Sequence, residues 1–115
     1  MTLILAYQDR GSTRDIVLTN SAGSTITVGP NDKLRAIIGR EGETPKLTVT
    51  SDTPTANGSS FTPNSPTSGT NRLRLDASDL DFEPGTYTLQ IDLFDTADAS
   101  EWKVVQRQVF QLELT

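Results

Sequence analysis

Four carboxylates close together, Asp76, Asp79, Asp81 and Glu83, are the residues of this chain best placed to do chemistry, and the chemistry they suggest is hard-cation binding. Calcium and related ions are held by clustered carboxylate and carbonyl oxygens. The spacing lacks the central Gly and terminal bidentate Glu of the calcium loop with a known signature. Asp and Ser also close turns through their own side chains. The four therefore stand as metal-ligand candidates for which a turn role is expected, and no cofactor is expected. Paired carboxylates also hydrolyse glycosidic bonds, but across a cleft lined by aromatic residues. With one Trp and two Tyr in the chain, that activity is not expected. Asp95 and Asp98, just before the final apolar stretch, read as turn residues.

Nucleophilic and redox chemistry lack their usual parts. The chain contains no His and no Cys, which removes the common general base near neutral pH, the commonest metal ligand, thiolate nucleophiles and disulfides together. Ser and Thr are plentiful, but none sits in a nucleophile motif with an activating neighbour. Asn57-Gly58-Ser59 matches the N-glycosylation pattern, which is short enough to arise by chance. A non-enzymatic protein is expected. The net charge of −5 argues against a nucleic-acid partner, which needs clustered Lys and Arg.

The elements that would position any site are short and alternating. At 115 residues the chain is one domain's worth, able to bury roughly two-thirds of its unfolded surface. Met1 to Tyr7 is too short an apolar stretch for a signal sequence and has no basic residue before it, so it reads as a first strand, 2–8. No run approaches the about eighteen apolar residues of a membrane span. Further strands are expected at 14–20 and 25–28, paired as a hairpin, at 33–40 with Leu34, Ala36 and Ile38 inward, and at 46–51 with Leu47 and Val49 inward. The stretch 71–76 places Leu73 and Leu75 inward with Arg72 and Arg74 outward. A last strand, 101–114, puts Trp102, Val104, Phe110, Leu112 and Leu114 in one register, interrupted at Gln106 and Gln108, where a bulge is expected.

The clearest fold signal is Pro84-Gly85-Thr86-Tyr87, a turn that enters a strand with Tyr87, Leu89, Ile91 and Leu93 on one face. A Tyr at such a point in immunoglobulin-like sandwiches returns its hydroxyl to a backbone group a few residues upstream. The expected fold is all-β, an immunoglobulin-like antiparallel β-sandwich of about seven to eight strands, with 1–115 as a single domain. Pro84, Gly85 and Tyr87 form its structural corner.

Between Thr50 and Thr70 about half of the residues are Ser or Thr, with Pro54, Pro63 and Pro66 among them. The segment at about 52–69 reads as a long loop, either an arm laid on a neighbouring subunit through Phe61, Pro63 and Pro66 or a solvated insertion. Apolar residues out of phase with the inward set, Val17, Ile37, Phe94, Val105 and Val109, mark an interface if they share an exposed face. Local bulges turning them inward are the alternative. Trp102 is either a contact aromatic beside the Asp-rich loop or the cap of a small core.

Two stretches carry a family resemblance. Arg10-Gly11-Ser12-Thr13 before the second strand, and the leucine, Pro-Gly, Tyr and alternating pattern from Leu80 through Asp95, resemble the immunoglobulin-like N-terminal domain of bacteriophage baseplate upper proteins and related small virion proteins of tailed phages. The resemblance spans most of the chain and carries no catalytic residues. It implies a virion structural subunit, made in the host cytoplasm and oligomeric on the particle, that docks on capsid, neck or tail proteins as a decoration or as a neck, tail or baseplate accessory. A carbohydrate-binding or host-adhesion sandwich is the alternative, and it needs an exposed aromatic platform.

Overall fold

The computed structural model describes residues 2–6, 12–20, 22–29, 32–65, 67, 69–76, 78–94 and 102–113. They form eight strands: β1 (Thr2–Ala6), β2 (Ser12–Val17), β3 (Lys33–Gly39), β4 (Leu47–Thr50), β5 (Ser60–Thr62), β6 (Thr70–Leu75), β7 (Gly85–Phe94) and β8 (Lys103–Glu113). A five-stranded sheet has the order β1-β8-β7-β3-β4, and a three-stranded sheet the order β2-β6-β5. In immunoglobulin-type sandwiches the second, fifth and fourth strands share one sheet and the third, sixth and seventh the other. Here β2, β6 and β5 take the first set of places and β3, β7 and β8 the second. β4 extends the larger sheet beside β3, and β5 packs over both. One pairing departs from the antiparallel expectation, because β1 runs parallel to β8, with Leu3 level with Phe110.

Period-two alternation builds the core. On β3, Leu34, Ala36 and Ile38 are buried while Lys33, Arg35 and Ile37 stay half-exposed, and on β7 Tyr87, Leu89 and Ile91 are buried likewise. Leu73 and Leu75 of β6 and Phe110 and Leu112 of β8 meet them between the sheets, with Leu80 fully buried as well. Each fully buried Leu, Ile or Phe stabilises the fold by roughly 1.5–3 kcal/mol relative to exposure.

The structure corrects three sequence expectations. The segment 52–69 is not a structureless arm: it contains β5, paired with β6, and Phe61 is a core residue at 1% exposure. The expected hairpin of 14–20 with 25–28 shrinks to one bridge, Thr19 to Thr25, beside an Ile26 N–H bond to the Leu18 carbonyl. Val28 instead joins the buried core, and 26–29 form no strand. In β8 the register against β7 shifts between Ile91 and Asp92, opposite Gln106 and Val104. That bulge reverses the phase of the strand's first residues, so Trp102 and Val104 leave the inward set that Phe110 and Leu112 keep.

Candidate functional site

The Pro-Gly corner is built from more than its tyrosine. Tyr87 is buried, and its hydroxyl donates to the Glu83 carbonyl. Phe82 meets the ring edge-on at 5.1 Å, and the Arg40 guanidinium lies 4.3 Å from the ring centroid while its Nε donates to the Thr86 carbonyl at 3.2 Å. Gly85, at φ 156°, leaves room for that arginine, since a Cβ there would stand 2.6 Å from Arg40 Nη2. Pro84 is half-buried in the same turn. All of these contacts hold the crossing between the sheets in place.

The acidic cluster is also architectural. Asp79 accepts from the Thr55 and Ser59 hydroxyls at 2.5 Å each and from Asn57 Nδ2 at 2.8 Å, which ties the 55–59 turn to the 76–80 turn. Burial works to raise the Asp79 pKa, but the hydrogen bonds from Ser59, Thr55 and Asn57 together outweigh it and hold the carboxyl below its ordinary value. Asp76 accepts the Ser78 N–H at 2.9 Å, while Asp81 and Glu83 are exposed. Among the described residues no group of three or more His, Cys, Asp or Glu side chains could hold a metal ion. Asp95 and Asp98 lie outside the described residues.

The outer face of the five-stranded sheet gathers most of the remaining candidates. Arg35 on β3 stands directly opposite Asp92 on β7 and donates to its Oδ2 through Nε at 3.0 Å and Nη2 at 2.6 Å. Asp92 Oδ1 accepts from Gln90 at 3.0 Å, and Gln90 Oε1 in turn accepts from Arg107 Nε at 3.2 Å. Above this line the Trp102 ring covers the Arg35 guanidinium at 4.4 Å, Phe94 meets Trp102 at 5.4 Å, and Lys33 lies 5.8 Å from the Phe94 ring. Lys33 also pairs with Asp52 at 3.0 Å, and this contact leads the effects that lower the Asp52 pKa. Below it, an open groove of about 470 Å³ is lined by Ile37, Pro45, Glu41, Glu43, Gln90 and Arg107, among others.

Ile37, Phe94 and Trp102 therefore share this face half-exposed, with Val104 (45% exposed) and Val109 (43%) beside them. Val105 does not join them, because it falls at the bulge and packs against the core. Val17 is 47% exposed, but it follows buried Ile16 on β2 and so belongs to the outer side of the smaller sheet. Phe61 is removed from the surface set by its burial, Pro63 is half-buried in the turn after β5, and Pro66 lies outside the described residues.

Sequence reasoning missed Arg35, Asp92, Gln90 and Arg107. The only signal was the charged or amide residue at outward positions of otherwise apolar strands. Comparison with known protein families finds no match, and comparison with curated proteins finds none. Among the described residues no helix is long and apolar enough to cross a membrane.

Proposed function

We propose that this chain is a non-enzymatic structural subunit of a bacteriophage particle, an immunoglobulin-like domain that docks on neighbouring virion proteins as a capsid decoration or as a neck, tail or baseplate accessory. The observation that carries the docking part is the outer face of the five-stranded sheet, where Ile37 and Val104 neighbour the braced Arg35–Asp92 pair and Val109 stands further along the same face, opposite Thr88, beside an open groove. Exposed apolar residues grouped on one face, with aromatic and arginine anchors among them, are typical of protein contact surfaces. The phage part rests on the Leu80 to Asp95 pattern and on the corner it forms. The alternative of a glycan-binding module is less well supported, because Trp102 has the Arg35 guanidinium against its ring and does not offer a bare platform.

The reading is tested by raising antibodies to the purified protein and probing density-gradient-purified particles. The protein is expected to band with intact particles at a fixed copy number per particle. Recovery only in the unassembled fraction of the lysate would refute the reading.

A further inference from the structure

The 55–59 turn contains Asn57-Gly58, the one Asn-Gly pair of the chain. Glycine offers no side chain to shield its amide nitrogen, so an Asn before it can cyclise. The Gly58 nitrogen attacks the Asn57 Cγ, a C–N bond forms, and Nδ2 leaves as ammonia. Water then opens the succinimide at either carbonyl, giving aspartate or isoaspartate. Ammonia leaves, water enters, and no oxidant or reductant is needed.

Both residues are exposed, yet the leaving and the attacking nitrogen are each tied down. The leaving nitrogen, Asn57 Nδ2, donates to Asp79 Oδ1 at 2.8 Å. The attacking nitrogen of Gly58 donates to the Thr55 carbonyl at 3.0 Å, and the Gly58 carbonyl accepts from Arg74 Nη1 at 2.6 Å. We propose that Asn57 is a deamidation site whose rate is set by the Asp79-centred clamp: the closed turn protects the amide, and each opening of the turn exposes it to cyclisation. The product cannot restore the clamp, because it places a carboxylate against Asp79 where an amide donated before. Isoaspartate also adds a methylene to the backbone at position 57, two residues before buried Ser59 and three before the start of β5. Deamidation thus makes the chain more negative and loosens the hold of the 55–59 turn on the 76–80 turn.

The full chain is incubated folded at mildly alkaline pH, and the peptide spanning Leu47 to Arg72 is followed by tandem mass spectrometry. This peptide also contains Asn64 and Asn71, which serve as internal controls. In Asp79→Ala, acid formation at Asn57 is expected to accelerate by roughly ten- to a hundredfold over wild type, because reaction of a locally opened segment follows its open population and hydrogen bonds to charged groups are the stronger kind. Asn64 and Asn71 are expected to stay at their wild-type rates. Equal Asn57 rates in folded wild type and Asp79→Ala would overturn the proposal. If Asp79→Ala does not fold, Thr55→Val decides, since it removes one clamp hydroxyl at nearly constant volume: a faster rate at Asn57 alone supports the proposal, and an unchanged rate overturns it.

Discussion

Arg35→Met removes the positive partner of a carboxylate that has almost no access to water. The Asp92 side chain is 2% exposed, whereas that of Arg35 is 27% exposed. Stripping the partner from a fully buried ion pair costs roughly 3–5 kcal/mol, because the remaining charge is left uncompensated. Two features reduce that figure. Water can enter along the Arg35 side, and Gln90 still donates to Asp92 Oδ1. A loss of about 2–3 kcal/mol is expected, and with a urea slope of about 1–3 kcal/mol/M it lowers the unfolding midpoint by about 0.7–3 M. Trp102, the only Trp, lies over Arg35 and reports the transition by fluorescence. The double variant Arg35→Met/Asp92→Leu removes both charges and is expected to return to within about 1 kcal/mol of wild type, since replacing a whole buried pair by apolar residues is often close to neutral. The stacking on Trp102 is lost in both variants, so the difference between them isolates the stranded carboxylate. A single variant as stable as wild type, or a double variant as damaged as the single, would refute the claim that Asp92 is held by Arg35.

Three further outcomes are expected. Tyr87→Phe lowers stability by about 0.5–1.5 kcal/mol through loss of the hydroxyl bond to the Glu83 carbonyl, measured as a shift in urea midpoint; an unchanged midpoint contradicts it. Phe61→Ala costs about 3–5 kcal/mol as a core truncation, so thermal unfolding drops steeply, whereas a loop-tip residue would barely register. Asp79 has a folded pKa below the ordinary 3.8, so its contribution is fully present above that value and is lost as pH falls through the lower folded value. The stability gap between wild type and Asp79→Asn is therefore expected at neutral pH and closes in acid, and a gap independent of pH would show that the carboxylate charge is irrelevant.

Much of the sandwich is legible in residue order because most of its long strands bury one face. Leu34, Ala36 and Ile38, or Leu89 and Ile91, declare their side by alternation alone, and the corner declares itself through Pro84, Gly85 and Tyr87. What stays hidden has specific causes. β5 is three residues long with one apolar side chain, too short to show a period inside a Ser/Thr-rich stretch. The bulge at Val105 inverts the faces of Trp102 and Val104 by a single residue, and Gln106 and Gln108 mark a break in the pattern without giving its direction. Arg35 and Asp92 are 57 residues apart, and only the pairing of β3 with β7 places them opposite each other. The carboxylates at 76–83 are visible as a cluster, but the role of Asp79 depends on donors from the 55–59 turn that only the folded chain delivers.

The most direct test of docking through the larger sheet is occupancy of purified particles by surface variants that keep the core intact. Val104→Glu/Val109→Glu places two charges on the proposed face, while Val17→Glu places one on the outer side of the smaller sheet at similar exposure. With all three proteins folded by circular dichroism, the double variant is expected to be absent from particles and Val17→Glu to be incorporated normally. Equal incorporation of both, or loss of Val17→Glu alone, would contradict docking through the larger sheet.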